Sequence, residues 1–311
     1  MSTMSAAEIE RLVPKVLARH AREVEPLGSS SWSCGLPNGA KDGLSKTRVR
    51  VRLDNGWLSA SADVRGGRTR KPMDLLKLGA VFPGGARLAM RRDSQRLFVL
   101  RDGWLGADEY RCECEDGFDD HYARASAESG LDAWLRLALS DVKDAVGLLD
   151  GRQAAAERPR WETSADHPGF GEICREAGWR CAEHRDGRLA VELDNSRCYR
   201  QAFVDPGVAG GVRVWTPLPE AGDLSEPSLQ AIETLLLRVN GILRMARAAA
   251  RESGGRTELV FEALLSADRA DRMLNRALSA LRIAGRFWAR EVDALTDETA
   301  ARALLTMWGL R

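Results

Sequence analysis

The chain has 311 residues, of which 44% are apolar and 29% charged, a globular mixture that excludes a disordered composition. At roughly 100–200 residues per domain, that length predicts two domains. Lysine and arginine total 46 against 45 acidic residues, and a net charge of +1 gives no bulk attraction for nucleic acid or a membrane surface.

The N-terminal MSTMSAAEIERLVPK carries acidic residues and lacks the apolar core of a signal peptide. Residues 6–22 place Ile9, Leu12, Val13, Val16 and Leu17 at helical spacing behind Ser5 as an N-cap. Next, Arg48, Arg50 and Arg52 alternate with Val49, Val51 and Leu53, so the arginines share one face of a half-buried strand. Asn55-Gly56 signals a hairpin, and Trp57 to Val64 forms the returning strand. A short helix over 73–80 carries Met73, Leu75, Leu76 and Leu78. Pro83-Gly84-Gly85 breaks the chain, and strands near 86–92 and 96–101 flank Asp93-Ser94. Residues 105–125 are irregular and strongly acidic, and a long helix over 129–149 aligns Leu131, Leu135, Leu139, Val142 and Val146.

Residues 151–168 (GRQAAAERPRWETSADHP) lose all periodicity and form a linker. Beyond it, Trp179–His184, Gly187–Asp194, Cys198–Asp205 and Gly211–Leu218 make a strand meander. Ser225 caps a helix whose apolar stripe is Leu229, Ile232, Leu235, Leu236 and Val239, stopped at Asn240-Gly241. The alanines and arginines of 242–252 favour helix by propensity. The stop before them and Ser253-Gly254-Gly255 after them favour a hairpin strand, which is the prediction. Ser266 opens a long helix with Leu274, Leu278, Leu281, Trp288 and Val292 on one face, and Thr296 starts a last helix with Leu304, Leu305 and Trp308.

The two halves follow one plan. Arg50–Asn55 aligns with Ala190–Asn195 at an offset of 140, which also pairs Ala62 with Ala202 and Val64 with Val204. Trp32-Ser33-Cys34 matches Trp179-Arg180-Cys181 at a slightly different spacing. A duplication follows, with one lobe over 1–150, a linker over 151–168 and a second lobe over 169–311.

Helix, strand meander, helix, hairpin and helix resembles the plan of the class I type III secretion chaperones and the related YbjN-like proteins. In the second half, Gly187–Leu193, Val214-Trp215-Thr216-Pro217-Leu218, the helix from Ser225, Leu243–Ala248 and Glu258–Leu265 carry the likeness. Phe82–Ala89 and Arg96–Leu100 carry it in the first half. The first copy lacks one meander strand and has a short middle helix, and the near-neutral charge differs from the acidic homodimers of the family. The resemblance implies an α+β fold of two tandem lobes, each an antiparallel sheet with helices packed on it. It also implies a non-enzymatic protein-binding module that holds an extended or partly unfolded segment of a polypeptide partner. One chain would then form a monomeric pseudo-dimer or a weak homodimer.

The candidate partner-binding residues are Trp57 and Trp104, which flank polar turns, and Leu229, Ile232, Leu236 and Val239 of the middle helix. No phosphate loop, dinucleotide fingerprint, nucleophile elbow or paired-histidine zinc motif occurs, and no cofactor is expected. Six unevenly spaced cysteines do not make a disulfide framework, which favours a reducing cytoplasm. Cys112, Cys114 and His121 are the metal candidates of an alternative reading, a small metalloprotein or enzyme using 105–121. A Cys-x-Cys pair on a strand points both ways, however, and the surrounding acids suit a harder cation. Among Cys174, Cys181, His184 and Cys198, the cysteines read as small buried residues rather than as part of a Cys–His nucleophile pair. The run Arg65, Arg68, Arg70 and Lys71 reads as a solvated loop. Arginines 48, 50 and 52 lack interleaved aromatic platforms, so no nucleic-acid partner is expected, and no apolar run is long enough for membrane insertion. A further alternative is a structural subunit of a larger assembly.

Overall fold

The computed structural model describes residues 6–37, 46–64, 70–82, 85–91, 94–104, 120–151, 169–184, 188–194, 200–208, 211–218, 224–266 and 270–310. The first half runs α1 (Ala6–His20), β1 (Arg22–Gly28), β2 (Ser31–Pro37), β3 (Lys46–Asp54), β4 (Trp57–Asp63), α2 (Pro72–Ala80), β5 (Arg87–Met90), β6 (Leu97–Trp104) and α3 (Asp120–Leu149). The second half runs α4 (Phe170–Glu176), β7 (Cys181–Glu183), β8 (Leu189–Glu192), β9 (Gln201–Val208), β10 (Gly211–Pro217), α5 (Glu226–Val239), β11 (Arg247–Ser253), β12 (Arg256–Ser266), α6 (Ala270–Ala294) and α7 (Glu298–Met307). The sheets have the orders β1-β2-β3-β4-β6-β5 and β7-β8-β9-β10-β12-β11, the same topology twice. The expected α+β architecture of two antiparallel sheets with packed helices is therefore present.

The duplication is real at the level of topology, but the sequence matches lie one strand out of step. Arg50–Asn55 belongs to β3 and its turn, whereas Ala190 belongs to β8, the topological equivalent of β2. Trp57 and Gly211 begin equivalent strands and Pro72 and Glu226 begin equivalent helices, an offset of 154 in both cases. The first copy has its full four-stranded meander. Its first strand, REVEPLG, carries charges, a proline and register shifts, so no period of two announces it. Three boundaries also move. Residues 120–125 are helical, Ser266 ends β12 rather than opening α6, and Asp297 caps α7 by accepting from the Ala300 N–H at 2.9 Å. Of the predicted strand over 242–252, residues 247–252 lie in β11 and 242–246 form the turn before it, and the predicted Ser225 cap accepts from Ser228 N at 3.4 Å. The linker prediction for 152–168 lies outside the described residues.

By contacts the chain divides into two compact units, Met1–Gly66 with Arg96–Gln153, and Gly67–Gln95 with Ala154–Arg311. In the first, Val49, Val51, Leu53, Leu58, Ala60 and Ala62 line one face of β3 and β4 and are buried. Helix α3 packs on that face and α1 packs on α3. The α3 indole of Trp134 lies so close to Gly103 that an added Cβ would sit 2.1 Å from its Nε1. Asn55 and Gly56, with φ of 49° and 79°, make the left-handed turn that their sequence predicts. The end of α1 is tied to α3 where Arg19 meets Glu128 at 2.6 Å and Asp132 at 3.2 Å, and His20 meets Asp132 at 3.1 Å.

The second unit contains α2 and β5 from the first half of the sequence. Trp215, Glu262 and Arg247 stand opposite one another across β10, β12 and β11 and share one face of the sheet. Ala80 of α2 packs there against Trp215, Ala249 and Val260. Alternation leaves Val214, Phe261 and Ala263 for the opposite face, and α6 packs on β10 and β12. Glu262 is fully buried and accepts from Arg247 Nε at 2.8 Å and Arg251 Nε at 2.5 Å. The same Arg247 donates to the carbonyls of Ala86 (2.7 Å) and Ala80 (3.0 Å). Arg87 answers from the other side, donating to the carbonyls of Asn240 (2.7 Å) and Leu243. Asn240 uses its whole amide: Nδ2 donates to Leu88 O and Ala248 O, both at 2.9 Å, and Oδ1 accepts from Ala248 N at 2.6 Å.

Two stability predictions follow from this packing. Gly103→Ala should cost about 1–3 kcal/mol in urea denaturation, because the buried indole of Trp134 has to move. Gly28→Ala, whose Cβ would meet nothing within 4 Å, serves as its near-neutral control. Glu262→Ala should cost about 3–5 kcal/mol by leaving Arg247 charged and buried. The pair Arg247→Met and Glu262→Leu together should cost less than Glu262→Ala alone.

Candidate partner-binding surface

Helix α6 is built from two incompatible stripes. Leu274, Ala277, Leu278, Leu281, Ala284, Gly285, Ala289 and Val292 are buried, and their spacing is the i, i+3, i+4, i+7 pattern of a core-facing helix. The opposite side carries Ile283 and Phe287, one turn apart and 57% and 62% exposed. Leu27, Val81, Leu137, Ile242 and Met307 are exposed as well, on β1, in the turn after α2, on α3, in the turn after α5 and on α7. Beside the apolar pair run Arg282, Arg286 and Arg290, all exposed. At 1.5 Å per residue, successive arginines are about 6 Å apart along the axis.

The N-terminal half of the helix is pinned to the segment after α4. Trp179 Nε1 donates to Asn275 Oδ1 at 2.9 Å, and the Arg282 guanidinium lies 6.0 Å from the Trp179 ring. Trp179, Arg180, Glu192, Asp194 and Arg282 line a shallow polar cleft there, with Arg180 and Glu192 paired at 3.1 Å. A second cluster, largely buried, lies on β9 and β10. Phe203 and Trp215 stack at 4.9 Å, and Arg188 sits 5.3 and 5.5 Å from the two rings. Arg213 lies 5.2 Å from Trp215 and pairs with Asp205 at 3.0 Å. Among the described residues the buried indole N–H of Trp215 has no hydrogen-bond partner.

The residues singled out from the sequence are not brought together. Ile232, Leu236 and Val239 are buried at 1%, 0% and 1% exposure, which corrects the expectation of a docking stripe on α5. Their apolar surface is used inside the second unit, where α5 packs on α2, β5, β11 and α7. Leu229 is half-buried. Trp57 is half-buried, and its backbone pairs opposite Trp104, whose side chain lies outside the described residues. Cys112 and Cys114 lie outside the described residues, as does the side chain of His121, whose backbone is in α3. Among the described residues no group of three or more metal-ligating side chains is assembled. Burial pushes the thiols of Cys34 and Cys174 up to about 11, the reverse of what a nucleophilic thiolate needs. No helix among the described residues is long and apolar enough to cross a membrane.

Sequence reading missed Ile283 and Phe287. The signal was present: both fall in the angular phase of the arginines rather than that of Leu274, Leu278 and Leu281. No protein-family model and no curated protein matches the chain.

The middle helix α5 hides a titratable group among its core residues. Glu233 is 5% exposed and accepts from the Met73 backbone at the start of α2, with Asp74 and Lys77 of α2, and Lys71 just before that helix, around it. Burial dominates and raises its carboxyl to about 7. The folded chain thus keeps a proton that the unfolded chain releases near the ordinary glutamate value. Stability should therefore fall as pH rises from about 4.5 to about 7 and then level off, by roughly 3 kcal/mol at most. Glu233→Gln should remove that slope, its advantage over the native chain being larger at pH 8 than at pH 5 in denaturant titrations.

Proposed function

We propose that the chain is a non-enzymatic, chaperone-like module that holds an extended or partly unfolded segment of a polypeptide partner on the outward face of α6. The observation that carries this reading is the exposure of Ile283 and Phe287 side by side on a helix whose opposite face is fully packed. Exposed aromatic and aliphatic neighbours of this kind act as anchors when a partner desolvates them.

The internal symmetry supports a monomer that needs no second copy. Within the second unit, α2 packs on β11 while its equivalent α5 packs on β5, and the two helices pack on each other. That reciprocal crossing is the arrangement of a two-fold interface made inside one chain. It agrees in kind with the secretion-chaperone resemblance, in which two copies present a surface to an unfolded client.

The test is binding of a permanently unfolded polypeptide, such as a fluorescently labelled protein whose reduced thiols are carboxymethylated, followed by anisotropy. The native chain should bind it as a monomer by sedimentation. Phe287→Ser should weaken binding by about tenfold or more, the equivalent of losing one buried large apolar side chain. Its unfolding midpoint should change little, since most of the side chain is exposed. Absence of binding, or indifference to Phe287→Ser, would overturn the proposal.

A further inference from the structure

We infer that the segment held on α6 is acidic as well as apolar, with carboxylates that engage Arg282, Arg286 and Arg290 while its apolar side chains cover Ile283 and Phe287. This rests on the polypeptide-binding reading above and names the chemistry of the partner.

Three observations point the same way. From Asn275 to Arg290 the helix carries four arginines and no acidic residue. Like charges four residues apart destabilise a helix, so Arg282, Arg286 and Arg290 work against α6 in the isolated chain. Arg286 and Arg290 also have no carboxylate partner among the described residues. Surface arginines elsewhere differ: Arg302 meets Glu298 at 2.6 Å, Arg19 meets Glu128 at 2.6 Å and Arg180 meets Glu192 at 3.1 Å. At Arg286 and Arg290 the stripe is thus cationic, unneutralised and immediately beside the most exposed aromatic side chain on the helix, while Arg282 shares its cleft with Glu192 and Asp194.

Geometry makes an extended acidic segment a fit. Alternate side chains of an extended chain repeat at about 6.8 Å, close to the roughly 6 Å between successive arginines along α6. Guanidinium forks bind carboxylates through paired hydrogen bonds, and the neighbouring apolar contacts lower the local dielectric that those bonds experience. The cleft at Trp179 and Arg282 marks one end of the stripe.

The experiment uses the full chain and three labelled peptides that share the same phenylalanines and leucines but carry glutamates, serines or lysines between them. The glutamate peptide should bind about tenfold or more tighter than the lysine peptide, and added salt should shrink that ratio. The double variant Arg286→Glu with Arg290→Glu should reverse the order, and Phe287→Ser should weaken all three peptides. Equal affinities for the three peptides would overturn the acidic partner and leave polypeptide binding standing. A preference for the lysine peptide would overturn it too, as would tight binding to vesicles of phosphatidylglycerol with no discrimination among peptides. Binding that Phe287→Ser leaves untouched would place the segment elsewhere and overturn both the acidic partner and the α6 reading.

Discussion

Burying Glu262 with two arginines is the constraint from which much of the second unit follows. A carboxylate with no solvent exposure is tolerated only if its charge is neutralised and its lone pairs are filled, and Arg247 and Arg251 do both. Although burial pushes the Glu262 carboxyl up, the two guanidiniums pull it down further, so it stays ionised. Arg247 then needs acceptors for the rest of its fork. They come from Ala80 and Ala86, at the end of α2 and just before β5. A residue in the second half of the sequence is therefore completed by backbone from the first half.

The pairing of Arg87 with Asn240 and Leu243 is the reverse stitch, from the β5 side to the end of α5. Together the two stitches fix α2 on β11 and α5 on β5. Directional hydrogen bonds of this kind set register in a way that the surrounding alanines and leucines cannot, since apolar contacts tolerate sliding. The cost falls on the middle helices, whose apolar stripes are consumed in the crossing. Ile232, Leu236 and Val239 are core residues for this reason, and they cannot also serve as an open docking surface.

Local chemistry was legible where it was local. Asn55-Gly56 and Gly254-Gly255 mark their hairpins because their φ values, 49° and 79° and then 57° and 79°, are ones that these residue types adopt with least strain. The second of these turns decided 247–253 as strand against the helical propensity of its alanines and arginines. What the sequence could not carry was long-range. Nothing near Arg247 or Glu262 in the chain says that their partners lie around residues 80–86. The misplaced offset has a related cause: Val, Leu and Ala at alternate positions are what any half-buried strand requires, so β3 matches β8 as well as it matches β9. Topology, fixed by which strands pair, separates the two. Strand β1 was missed because Pro26 and its register shifts erase the alternation by which strands are found.

The same features that hid β1 bear on where a partner can bind. Added strands need a straight edge with free backbone donors and acceptors. Strand β1 is interrupted by Pro26 and bulged, and β7 has only three residues, Cys181–Glu183. At the other ends of the sheets, α5 packs on β5 and α2 packs on β11. With β1 and β7 poor templates for an added strand and the middle helices packed inside, a helix face becomes the better place for an apolar contact. Helix α6 has one, in the exposed pair Ile283 and Phe287. Neither Ile283 nor Phe287 belongs to the stripe from Leu274 to Val292 that holds the helix to β10 and β12. Two large apolar side chains left in water one turn apart, on a helix already held by its other face, are what the proposed polypeptide contact would desolvate.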